Sequence, residues 1–152
     1  MEFQIPDLYP AIAEIFVAAM ALLILLVAPL MKRGATTFAY YASQLTILAA
    51  AAIAYTTTGK FGFTFSYMYV DDPMGDLLKV IACLCVSMAL LYGRSYMADR
   101  KLESPEYYLL VLFSLLGIMV LIAAGSLLTV YLGLELLSLS SYALVAINRD
   151  SA

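Results

Sequence analysis

The apolar run Leu127–Ile147, LLTVYLGLELLSLSSYALVAI, carries one carboxylate near its middle, Glu135. At ~1.5 Å per helical residue, Glu135 lies roughly 12 Å from Leu127 and 18 Å from Ile147, close to mid-depth in a ~30 Å hydrocarbon layer. An ionisable group at that depth costs about 2.5 to 3.5 kcal/mol on insertion scales, and marks a functional position by default. On a helix Tyr131, Glu135, Ser138 and Tyr142 share one face, whereas Val130, Leu134, Leu137 and Leu144 point elsewhere. That polar stripe is expected to face protein. Burial favours the neutral form of a carboxyl and a nearby cation the charged form, so a moving partner would let such a group take up and release protons. The catalytic role expected of Glu135 is therefore proton relay, with Tyr131, Ser138 and Tyr142 as hydrogen-bonding neighbours. The alternative is a structural carboxyl held by Tyr131 or Ser138.

Lys79 is the second charge inside an apolar run. Counting from Pro73 it sits roughly 9 Å into its span, and Glu135 lies only ~3 Å deeper by the same count. Three readings are open: snorkelling to the interface, pairing with Asp76 three residues earlier, or partnering Glu135. Glu14, near the outer end of the first apolar run, reads as an interfacial carboxylate, and Asp71 and Asp72 as loop and cap residues. Cys83 and Cys85 diverge by about 200° on a helix, which precludes a joint metal grip or a disulfide and leaves packing. With no His and no other Cys, a zinc, haem or iron–sulfur site made by this chain alone is not expected.

The elements that position these residues follow from composition. With 64% hydrophobic and 12% charged residues over 152 positions, the chain is too apolar for a soluble domain and reads as an all-α polytopic membrane protein. Five spans are expected, at about Ile12–Met31, Phe38–Thr57, Pro73–Tyr96, Glu106–Ala123 and Leu127–Ile147. Gly34, Gly59, Pro73, Gly93, Pro105 and Gly125 punctuate their ends. Lys32, Arg33, Arg94, Arg100, Lys101 and Arg149 fall on one side, against Lys60 alone in the opposite loops. The positive-inside rule then places the N-terminus outside and the C-terminus in the cytoplasm. MEFQIPDLYP has no basic segment of the signal-peptide kind. The net charge of −3 and the absence of a basic patch argue against nucleic-acid binding.

Between spans two and three, Lys60–Val70 alternates aromatics at Phe61, Phe63, Phe65, Tyr67 and Tyr69. Period two predicts a short extracytoplasmic β-strand or hairpin segment. It would either dock a neighbouring subunit by edge pairing or lay its rings on the membrane interface. Ser104-Pro105-Glu106 has the form of a cap followed by proline at the first helical position. The three-residue link Ala124-Gly125-Ser126 forces spans four and five to be antiparallel neighbours.

The stretch PEYYLLVLFSLLGIMVLIAAGSLLTVYLGLELLSLSSYALVAINRDS, Pro105 to Ser151, closely resembles the fourth and fifth helices of subunit N of bacterial NADH-quinone oxidoreductase, respiratory complex I. YLGLELLSLSSYALVA resembles the family's most recognisable segment, and DDPMGDLLK with the aromatic strand before it fits less specifically. The resemblance implies an antiporter-like subunit of a proton-translocating NADH:quinone oxidoreductase in the bacterial inner membrane. Its partners would be the other membrane subunits and the lipid bilayer, and the NADH, FMN, iron–sulfur clusters and quinone of that complex would be held elsewhere. The glutamate that aligns with Glu135 is a proton-channel residue there, paired with a lysine of the seventh helix. Such subunits have about fourteen helices in two inverted repeats. The chain is thus expected to be an N-terminal fragment or truncated product, and is not expected to be catalytic alone. Residues 1–104 would form a three-helix segment with the aromatic strand at 60–70, and 105–152 the first two helices of an incomplete repeat. A subunit of a sodium/proton antiporter, or a non-translocating membrane scaffold, are the alternatives.

Overall fold

The computed structural model describes residues 8–31, 33–58, 61–100 and 102–147. Lys32, Lys60, Lys101 and Arg149, on which much of the expected orientation rests, lie outside the described residues, as does the N-terminal segment before Leu8. Among the described residues, five helices are long and apolar enough to cross a membrane. They are α1 (Ile12–Val27), α2 (Ala35–Thr57), α3 (Pro73–Asp99), α4 (Pro105–Ile122) and α5 (Leu127–Ala146).

Each end has a local cause. Tyr9–Ala11, with Pro10, forms a 3-10 turn ahead of α1. Pro29 tightens Ala28–Leu30 into another, so the first span ends its α-helix at Val27, short of the expected Met31. Gly34 takes a left-handed φ of 80° at the start of α2. Ser104 and Ser126 cap α4 and α5 by accepting from the backbone N–H of Tyr107 and Thr129, at 3.3 and 3.2 Å. α3 runs three residues past the expected Tyr96, through Gly93. There Arg94 stacks 4.1 Å above the Tyr40 ring and pairs with Glu103 at 3.5 Å, tying the last turns of α3 to α2 and the α4 approach.

The core sits among α1, α2, α3 and α4, and small residues let the helices approach closely. Ala39, Ser43, Thr46, Ile47, Ala50, Ala51 and Ala54 form one buried face of α2. Val17, Ala21 and Ile24 of α1 and Leu112, Leu115 and Met119 of α4 pack into the same core. Cys83 lies in it as well, whereas Cys85 is exposed on the other side of α3. α5 leans chiefly on α4. The contact is made by glycines: a Cβ at Gly117 would lie 2.9 Å from the Leu137 nitrogen, and one at Gly133 would lie 2.8 Å from Leu121 Cγ. Four residues join the two helices, and they run as antiparallel neighbours.

The aromatic segment is a hairpin and not one continuous strand. β1 (Gly62–Thr64) pairs antiparallel with β2 (Tyr69–Asp71), matching Gly62 with Asp71, Phe63 with Val70 and Thr64 with Tyr69. Phe65, Ser66 and Tyr67 all have positive φ and reverse the chain, a conformation that period-two alternation does not reveal. The hairpin finds its partner within the chain. Val70 N–H donates to the Ala123 carbonyl and Gly125 N–H to the Met68 carbonyl, each at 2.9 Å, and the Thr129 hydroxyl also donates to Met68. A Cβ at Gly125 would collide with the Tyr67 carbonyl, so glycine is required at this crossing.

Candidate functional site

Two polar groupings mark the five helices, one on the surface of α5 and one buried at the hairpin end of the bundle. On α5, Tyr131, Glu135 and Tyr142 are exposed and Ser138 is half-buried. The buried residues of that helix are Gly133 and Ser140, on the face turned to α4. The polar stripe therefore lies along one side of the helix, as its spacing requires, and the other described helices leave it open. The hydrogen bonds made by other α5 side chains run elsewhere: Ser140 and Ser141 donate back to the Leu136 and Leu137 carbonyls at 2.7 and 2.8 Å.

The buried grouping centres on Lys79, which is 2% exposed. α3 turns Gly75, Asp76, Lys79, Cys83 and Ser87 inward, so the ammonium is buried inside the bundle at its hairpin end. Its Nζ lies 3.0 Å from Glu14 Oε1 and 3.5 Å from Asp76 Oδ1, and donates to the Tyr69 hydroxyl at 2.9 Å. Three acceptors thus meet the three protons of an ammonium. The Tyr69 hydroxyl in turn lies 2.8 Å from Glu14 Oε1 and 2.9 Å from the Pro10 carbonyl, so its single proton goes to one or the other. Burial, followed by the neighbouring Glu14, holds the Tyr69 phenol far above its ordinary range, and it stays neutral.

This corrects one expectation and resolves another. Glu14 is not an interfacial carboxylate: it is 6% exposed and ion-paired. The signal was present in α1, where Ala13, Glu14, Val17, Ala21 and Ile24 fall on one buried face. Of the readings open for Lys79, the Asp76 pair is found, joined by Glu14 and Tyr69; Glu135 is not among its partners. Asp72 holds the N-cap position of α3, as expected. Asp71, expected in a loop, is instead the last residue of β2 and 4% exposed.

Asp71 also borders a half-open cavity of about 250 Å³, lined by Tyr9, Pro10, Phe61, Gly62, Phe63 and Thr64 as well. Burial and then the Asp76 charge raise its carboxyl above the usual carboxylate range, while Lys79 acts in the opposite sense.

Known proteins of similar sequence cover the whole chain. The chain is 51% identical over 153 residues to the NADH-quinone oxidoreductase subunit N of Azoarcus sp. (strain BH72), covering 100% of this chain and 31% of that protein. The resemblance to subunit N runs the whole length of the chain. The subunit N of Thioalkalivibrio sulfidiphilus is 44% identical and that of Nitrosomonas europaea 41%, each over 100% of this chain and 32% of the relative. The chain thus spans about a third of the length of the curated subunit N relatives it matches. No family model matches it.

Proposed function

We propose that this chain is a membrane-embedded part of a proton-translocating NADH-quinone oxidoreductase and that Glu135 is its proton-relay carboxyl. In this reading the N-terminus is outside the cytoplasm and the C-terminus inside, which the distribution of basic residues supports. α1, α2 and α3 with the hairpin form a supporting three-helix segment, and α4 with α5 begins an antiporter-like repeat. NADH, FMN, iron–sulfur clusters and quinone belong to other subunits. This chain's residues handle protons and not electrons.

The observation that carries the reading is the open polar face of α5. An exposed Glu135 between exposed Tyr131 and Tyr142 costs about 2.5 to 3.5 kcal/mol against lipid, so the face calls for a covering of further protein. Relay chemistry then needs little from the chain itself. Glu135 takes a proton when its surroundings are apolar and gives it up when a cation from the covering protein approaches. The phenols of Tyr131 and Tyr142 and the hydroxyl of Ser138 can pass or hold that proton.

The test is Glu135→Gln in the assembled complex, with electron transfer from NADH to quinone and proton uptake into vesicles measured side by side. The proposal predicts normal assembly with proton uptake per electron pair lowered several-fold. Undiminished proton uptake in an assembled complex would overturn it, and so would a defect confined to assembly.

A further inference from the structure

The buried cluster at the hairpin end holds more carboxylate than it has cation to match. Glu14, Asp71 and Asp76 are each more than nine-tenths buried, and Lys79 is the buried cation among them. Lys79 favours Glu14: the pair is short, at 3.0 Å, and the Tyr69 hydroxyl supports the same oxygen. Asp76 receives only a 3.5 Å contact. Asp76 Oδ2 and Asp71 Oδ1 are buried, with no hydrogen-bond partner among the described residues, and Glu14 Oε2 is in the same position. A buried carboxylate oxygen without a donor is costly, whereas the protonated acid brings its own donor. The other titratable and charged groups near the cluster do not supply one. Tyr69 already spends its proton on Glu14 or Pro10, Asp72 adds a further negative charge, and Cys83 lies deeper in the core.

We propose that Asp71 and Asp76 form a proton-holding site, which keeps one proton at neutral pH and exchanges it with water through the cavity that Asp71 borders. The ligand is a proton, taken from and returned to the aqueous phase on the hairpin side, with no other bond made or broken. Lys79 and Glu14 form the compensated half of the cluster and the two aspartates the protonated half. The site stands apart from the α5 stripe and does not depend on what Glu135 does.

Infrared spectroscopy of the purified full-length protein in lipid nanodiscs tests this, in a Glu135→Gln background that removes the α5 carboxyl from the spectrum. A carbonyl band of a protonated carboxylic acid is expected near neutral pH. It should shift on transfer to D2O while the helical amide bands stay unchanged. Asp71→Asn or Asp76→Asn, each nearly isosteric, should abolish it or cut it at least twofold. Absence of the band in the Glu135→Gln protein overturns the proposal, as does its persistence at full strength in both Asn variants. The D2O shift needs no change at the cluster, so it reads out even where an Asn variant fails to fold. A band that stays unshifted overturns the exchange route.

Discussion

Lys79 donates all three of its ammonium protons inside the protein, to Glu14, Asp76 and Tyr69, and so joins α1, the hairpin and α3 at one buried point. Removing the cation while leaving the carboxylates buried is expected to be expensive. Lys79→Met should destabilise the fold by about 3 to 5 kcal/mol, the usual penalty for breaking one side of a buried pair. Denaturant titration in detergent, followed by helical circular dichroism, checks this, and a change under about 1 kcal/mol would mean that the pair is incidental. The cluster was only partly legible in sequence. Spacing on α3 pointed to Asp76 as a partner, but Glu14 is 65 positions from Lys79, and no short link in the sequence says that α1 and α3 meet. Tyr69 was hidden for a similar reason, since its ring counted among an alternating aromatic series whose turn at Phe65–Tyr67 needs tertiary support.

Elements were read more easily than contacts. The five spans announce themselves because a bilayer demands long apolar runs, and proline and glycine set most of their limits. Errors arose where tertiary packing overrode a local signal. Gly93 stays helical where Arg94 is anchored on Tyr40 and Glu103, and the helix ends only beyond Asp99. The α4–α5 pair was legible from its short link, but its closeness is the work of Gly117 and Gly133. Gly117→Val would press side-chain atoms into the Leu137 backbone, and should cost about 1 to 3 kcal/mol by overpacking. The same substitution should raise amide exchange along α5, the least buried span, before it affects α2. Uniform loosening of all five helices would argue that α5 is not the separable element.

At the scale of the whole molecule, two faces differ in character. Toward the hairpin, charges are buried and matched or, in our proposal, protonated. Along α5 the stripe of Tyr131, Glu135 and Tyr142 is laid open, and only 11% of the most apolar stretch of that helix is buried. In our proposal that exposed face is covered by other protein. The most direct test places a spin label at Tyr142→Cys in the assembled membrane complex, with Cys85→Ser so that the exposed native thiol is silent. Collision with dissolved oxygen, which concentrates in the bilayer, is then measured. The account predicts low collision, as for a buried helix contact. Collision as frequent as at a lipid-facing helix position would show the stripe bare to acyl chains, and would contradict the relay assigned to Glu135.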